Sequence, residues 1–329
     1  MSVEGYARLV AAGQALTGTE MFENRESPTP ERMAEFLEAN RAALENARQA
    51  LAAGCRVPVV YDSSYSTAQS DNLQALRNLV RTFACELLLA KQRGDHWRVV
   101  QIGLEIFQMG NAGRSGGLLI DMLSALAVES MSFPALRSVR EHLTPTESRK
   151  LANSLLELDE AREPFEDIKR RDQHWEQVVY PERAQATGHP LEGIDFDAIQ
   201  PKNDEERQML QMARAAMAMP PEQLDLMQQL SDLRHLVAWR LLALELGIQA
   251  FHADRGTYPD RLEDLVPEFL TRLPTDPLAD QSFCYQKTDD GYRLYSPGPT
   301  RQDHGGQGGG WFDVISGNAD LTLESLGTC

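Results

Sequence analysis

The chain has 329 residues, 42% of them hydrophobic, and its 32 Lys and Arg against 49 Asp and Glu leave a net charge of −17. Such a length accommodates two or three compact domains at roughly 100–200 residues each, and the apolar content is too high for a disordered chain. The acidity repels phosphate backbones and anionic lipid, which argues against a nucleic-acid partner.

Cys55, Cys85, Cys284 and Cys329 form no Cys-x-x-Cys pair and have no histidine at zinc-ligand spacing, so they read as buried free thiols. The longest apolar stretches, 116–131 and 236–251, contain Asp121 and Glu129, or Arg240 and Glu245. Neither supplies the ~20 uncharged residues of a membrane span, so no transmembrane segment is expected. The start, Met1-Ser2-Val3-Glu4, lacks the basic and apolar regions of a signal peptide, which places the chain in the cytoplasm unless a leader precedes it.

In chain order, almost every segment before Asp254 has helical spacing. Leu73, Leu76, Val80, Phe83, Leu87 and Ala90 form one buried stripe, broken by Gly94-Asp95. A second helix through Val99, Ile102, Ile106 and Phe107 is expected to stop at Gly110-Asn111. A third runs from about Leu118 to Ser132, after which Pro134 opens a short one. Thr144-Pro145-Thr146-Glu147 has an N-cap, a proline at the first helical position and a glutamate two residues further, with Leu151, Leu155 and Leu158 as the apolar face that follows. No constant repeat period links these helices, so the region reads as an irregular array.

The stretch from Tyr180 to Asp204, with Pro181, Pro190 and Pro201, reads as a linker, and a helical hairpin resumes near Glu205. Pro220-Pro221 ends its first limb, and a long helix follows from about Glu222 to Asp254 with Leu226, Leu230, Leu233, Val237, Leu241, Leu244, Ile248 and Phe251 on one stripe. Beyond Gly256 the elements shorten to a helical turn at Leu262–Leu265, then a hairpin in which Phe283 and Tyr285 answer Tyr292 and Leu294 across an Asp290-Gly291 turn of positive φ. Residues 311–315 are expected to add a third strand, and 303–310 to form a glycine loop. The fold class expected is therefore mainly α: a helical array (1–180), a linker with one hairpin limb (181–220) and a small α+β module (221–329), the last folding as a separable unit.

Within that module, Ala250-Phe251-His252-Ala253-Asp254-Arg255-Gly256-Thr257-Tyr258-Pro259, Leu273-Pro274-Thr275-Asp276-Pro277, Phe283-Cys284-Tyr285 and Asp290-Gly291-Tyr292-Arg293-Leu294-Tyr295-Ser296-Pro297-Gly298 occur in order. This set resembles the C-terminal module of the major pseudopilin of bacterial type II secretion and related type IV pilin-like proteins. The resemblance implies a long helix carrying a small antiparallel sheet, and an association with the bacterial envelope or periplasm. It also implies calcium as a ligand, held by Asp303 and Asp313 with the carbonyls of Leu294 and Ser296. The aspartate which that family places two residues after the glycine following Tyr-Ser is Thr300 here, and calcium's need for about six to eight oxygens would call for waters too. A pseudopilin begins with a basic leader and a fully apolar helix; here the equivalent helix follows 220 residues and carries Arg234, His235, Arg240 and Glu245. The resemblance thus implies a fold more than a pilus-forming activity.

Catalytic patterns are lacking. The seven histidines make no His-Glu-x-x-His, and no serine sits in a Gly-x-Ser-x-Gly elbow. The glycine-rich stretch 110–117 has no Gly-Lys-Ser/Thr ending and reads as a helix connection, while His252 beside Asp254 reads as a surface ion pair. Glu86, Glu105, Asp121 and Glu129 lie near apolar stripes and read mostly as solvated helix edges. The favoured function is a non-enzymatic envelope protein, a helical interaction scaffold for an unidentified protein partner. An enzyme or small-molecule-binding protein with its site in the helical array is the alternative.

Overall fold

The computed structural model describes residues 2–22, 28–182, 211 and 219–327. The chain is mainly α with a small antiparallel α+β tail. Helices α1 (Val3–Gln14), α2 (Pro30–Ala39) and α3 (Arg41–Ala53) precede α4 (Tyr65–Gln92), α5 (His96–Arg114), α6 (Leu119–Val139), α7 (Pro145–Glu160) and α8 (Phe165–Val179). After the stretch 183–218, where the expected linker and hairpin limb fall largely outside the described residues, comes α9 (Pro221–Arg255).

Several boundaries follow from local chemistry. Ser2 caps α1 by accepting from the Gly5 amide at 2.9 Å. Gly94 turns the chain at φ +69 between α4 and α5, and the Asp95 carboxylate caps α5. The Thr144 and Glu147 side chains exchange hydrogen bonds with each other's backbone at the start of α7.

Two helix ends differ from expectation. Gly110 does not stop α5, which runs on to Arg114; Gly110 is instead where α5 approaches α6 so closely that a Cβ would lie 2.5 Å from Cγ of Glu129. Pro134 opens no new helix, because α6 passes through it to Val139. Its ring is on an exposed side of α6, where the clash with the preceding turn is easiest to relieve.

Most of the helices share one core, with smaller apolar clusters around α2 and α8. α5 lies between α4 and α6, α1 packs on α3 and α4, and α9 lies along α7 with a smaller contact to α6. A single continuous set of buried apolar side chains runs from Tyr6 and Leu9 through Phe107 and Leu155 to Leu241, Phe269 and Leu326. The expected boundary near Pro220 therefore coincides with no gap in the core. On the α9 stripe, Val237, Leu241, Leu244 and Ile248 are fully buried, whereas Leu226 is 52% exposed.

By length and composition alone, Leu119–His142 and Pro221–Arg255 are long and apolar enough to cross a membrane, contrary to the expectation from sequence; in this fold their apolar windows are 50% and 67% buried against the rest of the chain. Half of the first window and two thirds of the second are thus covered by protein.

α9 ends at Gly256, with φ +72 and ψ 7, whose amide donates to the His252 carbonyl at 2.8 Å. Among the described residues no atom beyond its neighbours and the helix backbone lies within 4 Å of the position a Cβ would take there. Gly256→Val is therefore expected to cost about 1–2 kcal/mol from the left-handed backbone alone, and Gly256→Asn less, checked by urea denaturation.

The tail then folds back on α9. A 3-10 turn forms at Leu262–Leu265; β1 (Thr275–Asp276) pairs with β2 (Gln281–Ser282), and β3 (Cys284–Thr288) with β4 (Gly291–Tyr295) in register Cys284↔Tyr295 to Thr288↔Gly291. The loop of this hairpin is Asp289-Asp290, and Gly291 opens β4 without the positive φ that the Asp-Gly pair suggests. Tyr258 packs on Tyr292 at 5.1 Å, and the Tyr285 hydroxyl donates to the Pro259 carbonyl at 2.7 Å. Residues 311–315 form no third strand. They are a short helix, α10 (Trp311–Ile315), because Gly310 is an extended cap whose amide donates to the Asp313 carboxylate.

Candidate functional site

Four charges meet in the interior where α5, α6, α9 and the turn after α7 converge. Arg114, at the end of α5, sets Nη1 2.6 Å and Nη2 3.0 Å from the two Asp232 oxygens of α9, and its Nε donates to the Glu163 carbonyl at 2.8 Å. Arg162 donates to both oxygens of Glu129 on α6 at 2.6 Å and to Asp232 at 2.7 Å. All four residues are buried, and two cations face two anions. Burial alone would raise the Asp232 pKa, but Arg162 and Arg114 outweigh it and hold the carboxyl below the ordinary range. The link between α5 and α6 is tied to the same corner: Gly116 takes φ +74 with its amide on Glu163 at 2.7 Å, and Arg171 donates to the Gly117 carbonyl at 2.5 Å.

Beside this cluster, α6 and α9 diverge and leave an open groove of about 480 Å³. Leu123, Leu126, Ala127 and Pro134 form the α6 wall; Ala238 and Trp239 form the α9 wall, and Leu326 closes one end. The Trp239 ring is fixed by stacking on Phe107 at 4.3 Å and by the edge of Phe133 at 5.2 Å, so the floor is rigid. Beyond the groove the apolar surface continues along α6 through Ile120 and Met131, 55% and 44% exposed.

Its polar lining is Ser130, Ser231, Arg234 and His235. Pro134 has no N–H to give the Ser130 carbonyl one turn earlier, and both residues line the groove. The Arg234 guanidinium lies over the Trp311 ring at 5.3 Å, bringing α10 to the rim. His235 Nδ1 is 2.9 Å from the Ser231 carbonyl. Burial lowers the His235 pKa; Glu129 and Asp232 pull it up, Arg162 pushes it further down, and burial prevails.

Other acids read from sequence as solvated edges are also engaged. Glu86 and Glu105 hold Arg48 between them at 2.6 and 2.9 Å. Asp121, fully buried, accepts from the Tyr65 hydroxyl at 2.9 Å, from the Leu118 amide at 2.7 Å and from Gln69, which also donates to the Tyr6 hydroxyl. Nearby, Asp172 accepts from the Leu119 amide at 3.0 Å, yet burial raises its pKa to about 6, with Glu176 and Asp121 adding to the rise. A carboxyl with a raised folded pKa binds its proton more tightly when folded, so its contribution favours folding at low pH and is lost as pH climbs from about 4 through 6. Asp172→Asn, which keeps an acceptor for Leu119, is expected to gain on the order of 1 kcal/mol at pH 7.5 and nothing at pH 3.5, read from urea midpoints.

In the tail the residues expected to hold calcium are spent separately. Asp303 accepts from the Tyr295 hydroxyl at 2.8 Å and the Gly305 amide at 2.7 Å, Asp313 accepts from the Gly310 amide at 3.1 Å, Leu294 is paired with Tyr285 in the hairpin, and the Ser296 carbonyl accepts from the Leu321 amide at 2.8 Å. Among the described residues no group of three or more His, Cys, Asp or Glu is placed to hold a metal. The glycine loop is ordered by another acid: buried Asp320 accepts from the His304 amide at 3.1 Å and the Gly306 amide at 2.8 Å. His252 stacks on Tyr258 at 4.2 Å, and its neighbour Asp254 pairs with Arg255 at 3.2 Å. Cys55 and Cys85 are buried free thiols, Cys284 is half-buried, and Cys329 lies outside the described residues.

The groove, the four-charge cluster and His235 escape a motif search because their members come from separated helices; Arg114 and Asp232 are 118 residues apart. No family model, curated protein or solved structure matches the chain.

Proposed function

We propose that this protein is a non-enzymatic interaction scaffold of the bacterial envelope, carrying a pseudopilin-like tail and receiving an apolar face of a partner's α-helix between α6 and α9. The groove carries this reading. Its α6 wall from Leu123 to Pro134 spans about 16 Å at ~1.5 Å per residue, the length of three helical turns, and apolar grooves between helices are a recurrent seat for such a guest. Its charge also suits one: in a chain of net charge −17, the groove lining has no carboxylate among the described residues, so a guest helix with acidic flanks meets no like charge there.

The tail's agreement with the resemblance, a helix closed by Gly256, a Tyr258-Pro259 turn and one hairpin against the helix, supports the pseudopilin-like part. The charges that set α9 apart from a pilin helix bind it to the array: Arg240 to Asp159 at 3.1 Å, Glu245 to Arg140 at 2.6 Å and Asp232 to the two arginines. A spine clasped in this way supports a binding role in place of polymerisation.

A labelled three-turn peptide with leucines on one face and glutamates on the other is expected to bind the full chain in a fluorescence-anisotropy titration. Ala127→Arg, at an exposed position of the groove wall, should weaken it at least tenfold, whereas Leu88→Arg, on the exposed side of α4, should not. Equal binding by wild type and Ala127→Arg would remove the groove as the receiving surface.

A further inference from the structure

The wall of the groove holds one polar group whose chemistry is fixed by the fold. His235 is anchored by Nδ1 on the Ser231 carbonyl at 2.9 Å, and a carbonyl oxygen only accepts, so the proton of the neutral ring sits on Nδ1. Nε2 is then a lone-pair acceptor, and among the described residues no hydrogen bond reaches it. No described neighbour donates to it: Arg162 directs both Nη groups at Glu129 and Asp232 while its buried Nε makes no hydrogen bond, and Arg234 lies over Trp311. The remaining lining includes Ala238, Leu126 and Trp239, whose indole N–H makes no hydrogen bond to Nε2 among the described residues. An acceptor on such a wall is wet while the groove is open and becomes costly once an apolar guest expels the water, unless the guest replaces the lost bond.

We infer that the guest of this groove carries, on its apolar face, a neutral hydrogen-bond donor directed at Nε2 of His235: a hydroxyl or an indole N–H, as in serine, threonine, tyrosine or tryptophan. The inference rests on the groove being the receiving surface. A cationic donor is disfavoured because its charge would be taken out of water against a lining that is mostly apolar and offers no carboxylate among the described residues. A backbone donor is excluded for a helical guest, since its amides are used within the helix away from the first turn. The imidazole thus sets which residue pattern on a helix is accepted, while the surrounding leucines and Trp239 set that it be apolar.

Two small probes that differ in the donor alone test this. In equilibrium dialysis against the full chain, 2-naphthol is expected to bind about fivefold to tenfold more tightly than 2-methylnaphthalene, the effect of one buried hydrogen bond. His235→Leu should erase that preference while 2-methylnaphthalene binding stays within about twofold, and His235→Gln, whose side-chain oxygen also accepts, should restore part of it. Equal binding of both probes by the wild type, or a preference that survives in His235→Leu, overturns the inference; the wild-type comparison holds even where a variant misfolds. If both probes bind equally and both are lost in Ala127→Arg, the groove remains a binding surface and the role of His235 falls. If neither probe binds, the groove reading falls with it.

Discussion

Asp232→Ala is expected to destabilise the chain by about 3–5 kcal/mol, because it leaves two buried guanidiniums facing a single carboxylate. Arg114 loses both of its carboxylate bonds and Arg162 one of three, in a site where Arg114, Asp232 and Glu129 are 1%, 2% and 0% exposed. Water cannot reach these groups without opening the junction of α5, α6 and α9. Removing charge in opposite pairs should cost less than removing it singly: Glu129→Leu with Arg162→Met should be milder than Arg162→Met alone, since the double change leaves no uncompensated carboxylate beyond the surviving Arg114–Asp232 pair. Guanidinium denaturation monitored by circular dichroism reads both. A loss below about 1 kcal/mol for Asp232→Ala would mean that solvent enters the cluster freely.

What this cluster joins bears on how the function is organised. Added to the apolar packing of α9 on α7, this cluster and the Arg240–Asp159 and Glu245–Arg140 pairs hold the wall that carries His235 and Trp239 against the rest of the array. A groove whose two sides are locked beneath their contact surface loses little freedom when a guest enters, which favours binding.

The parts of the fold legible in the sequence are those fixed within a few residues. The Thr144–Glu147 box, the Gly256 stop, the Gly94 break and the β3–β4 hairpin each depend on a contact between near neighbours. The misread parts depend on what a residue meets across the fold. Residues 311–315 have the aromatic and β-branched composition of a strand, yet Gly310 and Asp313 give them a helical cap, and among the described residues no neighbouring strand pairs with them. Asp303 and Asp313, paired by the resemblance, cap different turns, while Asp320, outside the motif, orders the glycines. Of the groove nothing was legible, because its polar members acquire meaning only when α6 and α9 lie side by side.

Gly110→Ala and Gly113→Ala should move stability in opposite directions although they lie three residues apart on α5. Along the α5–α6 contact, Gly103 meets Leu136, and one heptad further Gly110 meets Glu129, one heptad back along the antiparallel α6. A Cβ at Gly110 would stand 2.5 Å from Cγ and 2.9 Å from Oε1 of Glu129, so alanine must push this side chain out of its two 2.6 Å bonds with Arg162 or force the helices apart. Overpacking and partial loss of a buried pair together put the cost at about 2–4 kcal/mol. At Gly113 no atom of the described residues beyond α5's own backbone lies within 4 Å of the added carbon, and alanine should instead stabilise by about 0.5–1 kcal/mol through helix propensity and a less flexible unfolded chain. The double-mutant cycle separates clash from backbone: in a Glu129→Ala background, which has already lost the pair and emptied the space, Gly110→Ala should cost at least 1 kcal/mol less than it does in the wild type. An unchanged cost in that background would place the penalty in α5 itself and make Gly110 a backbone requirement rather than a point of contact.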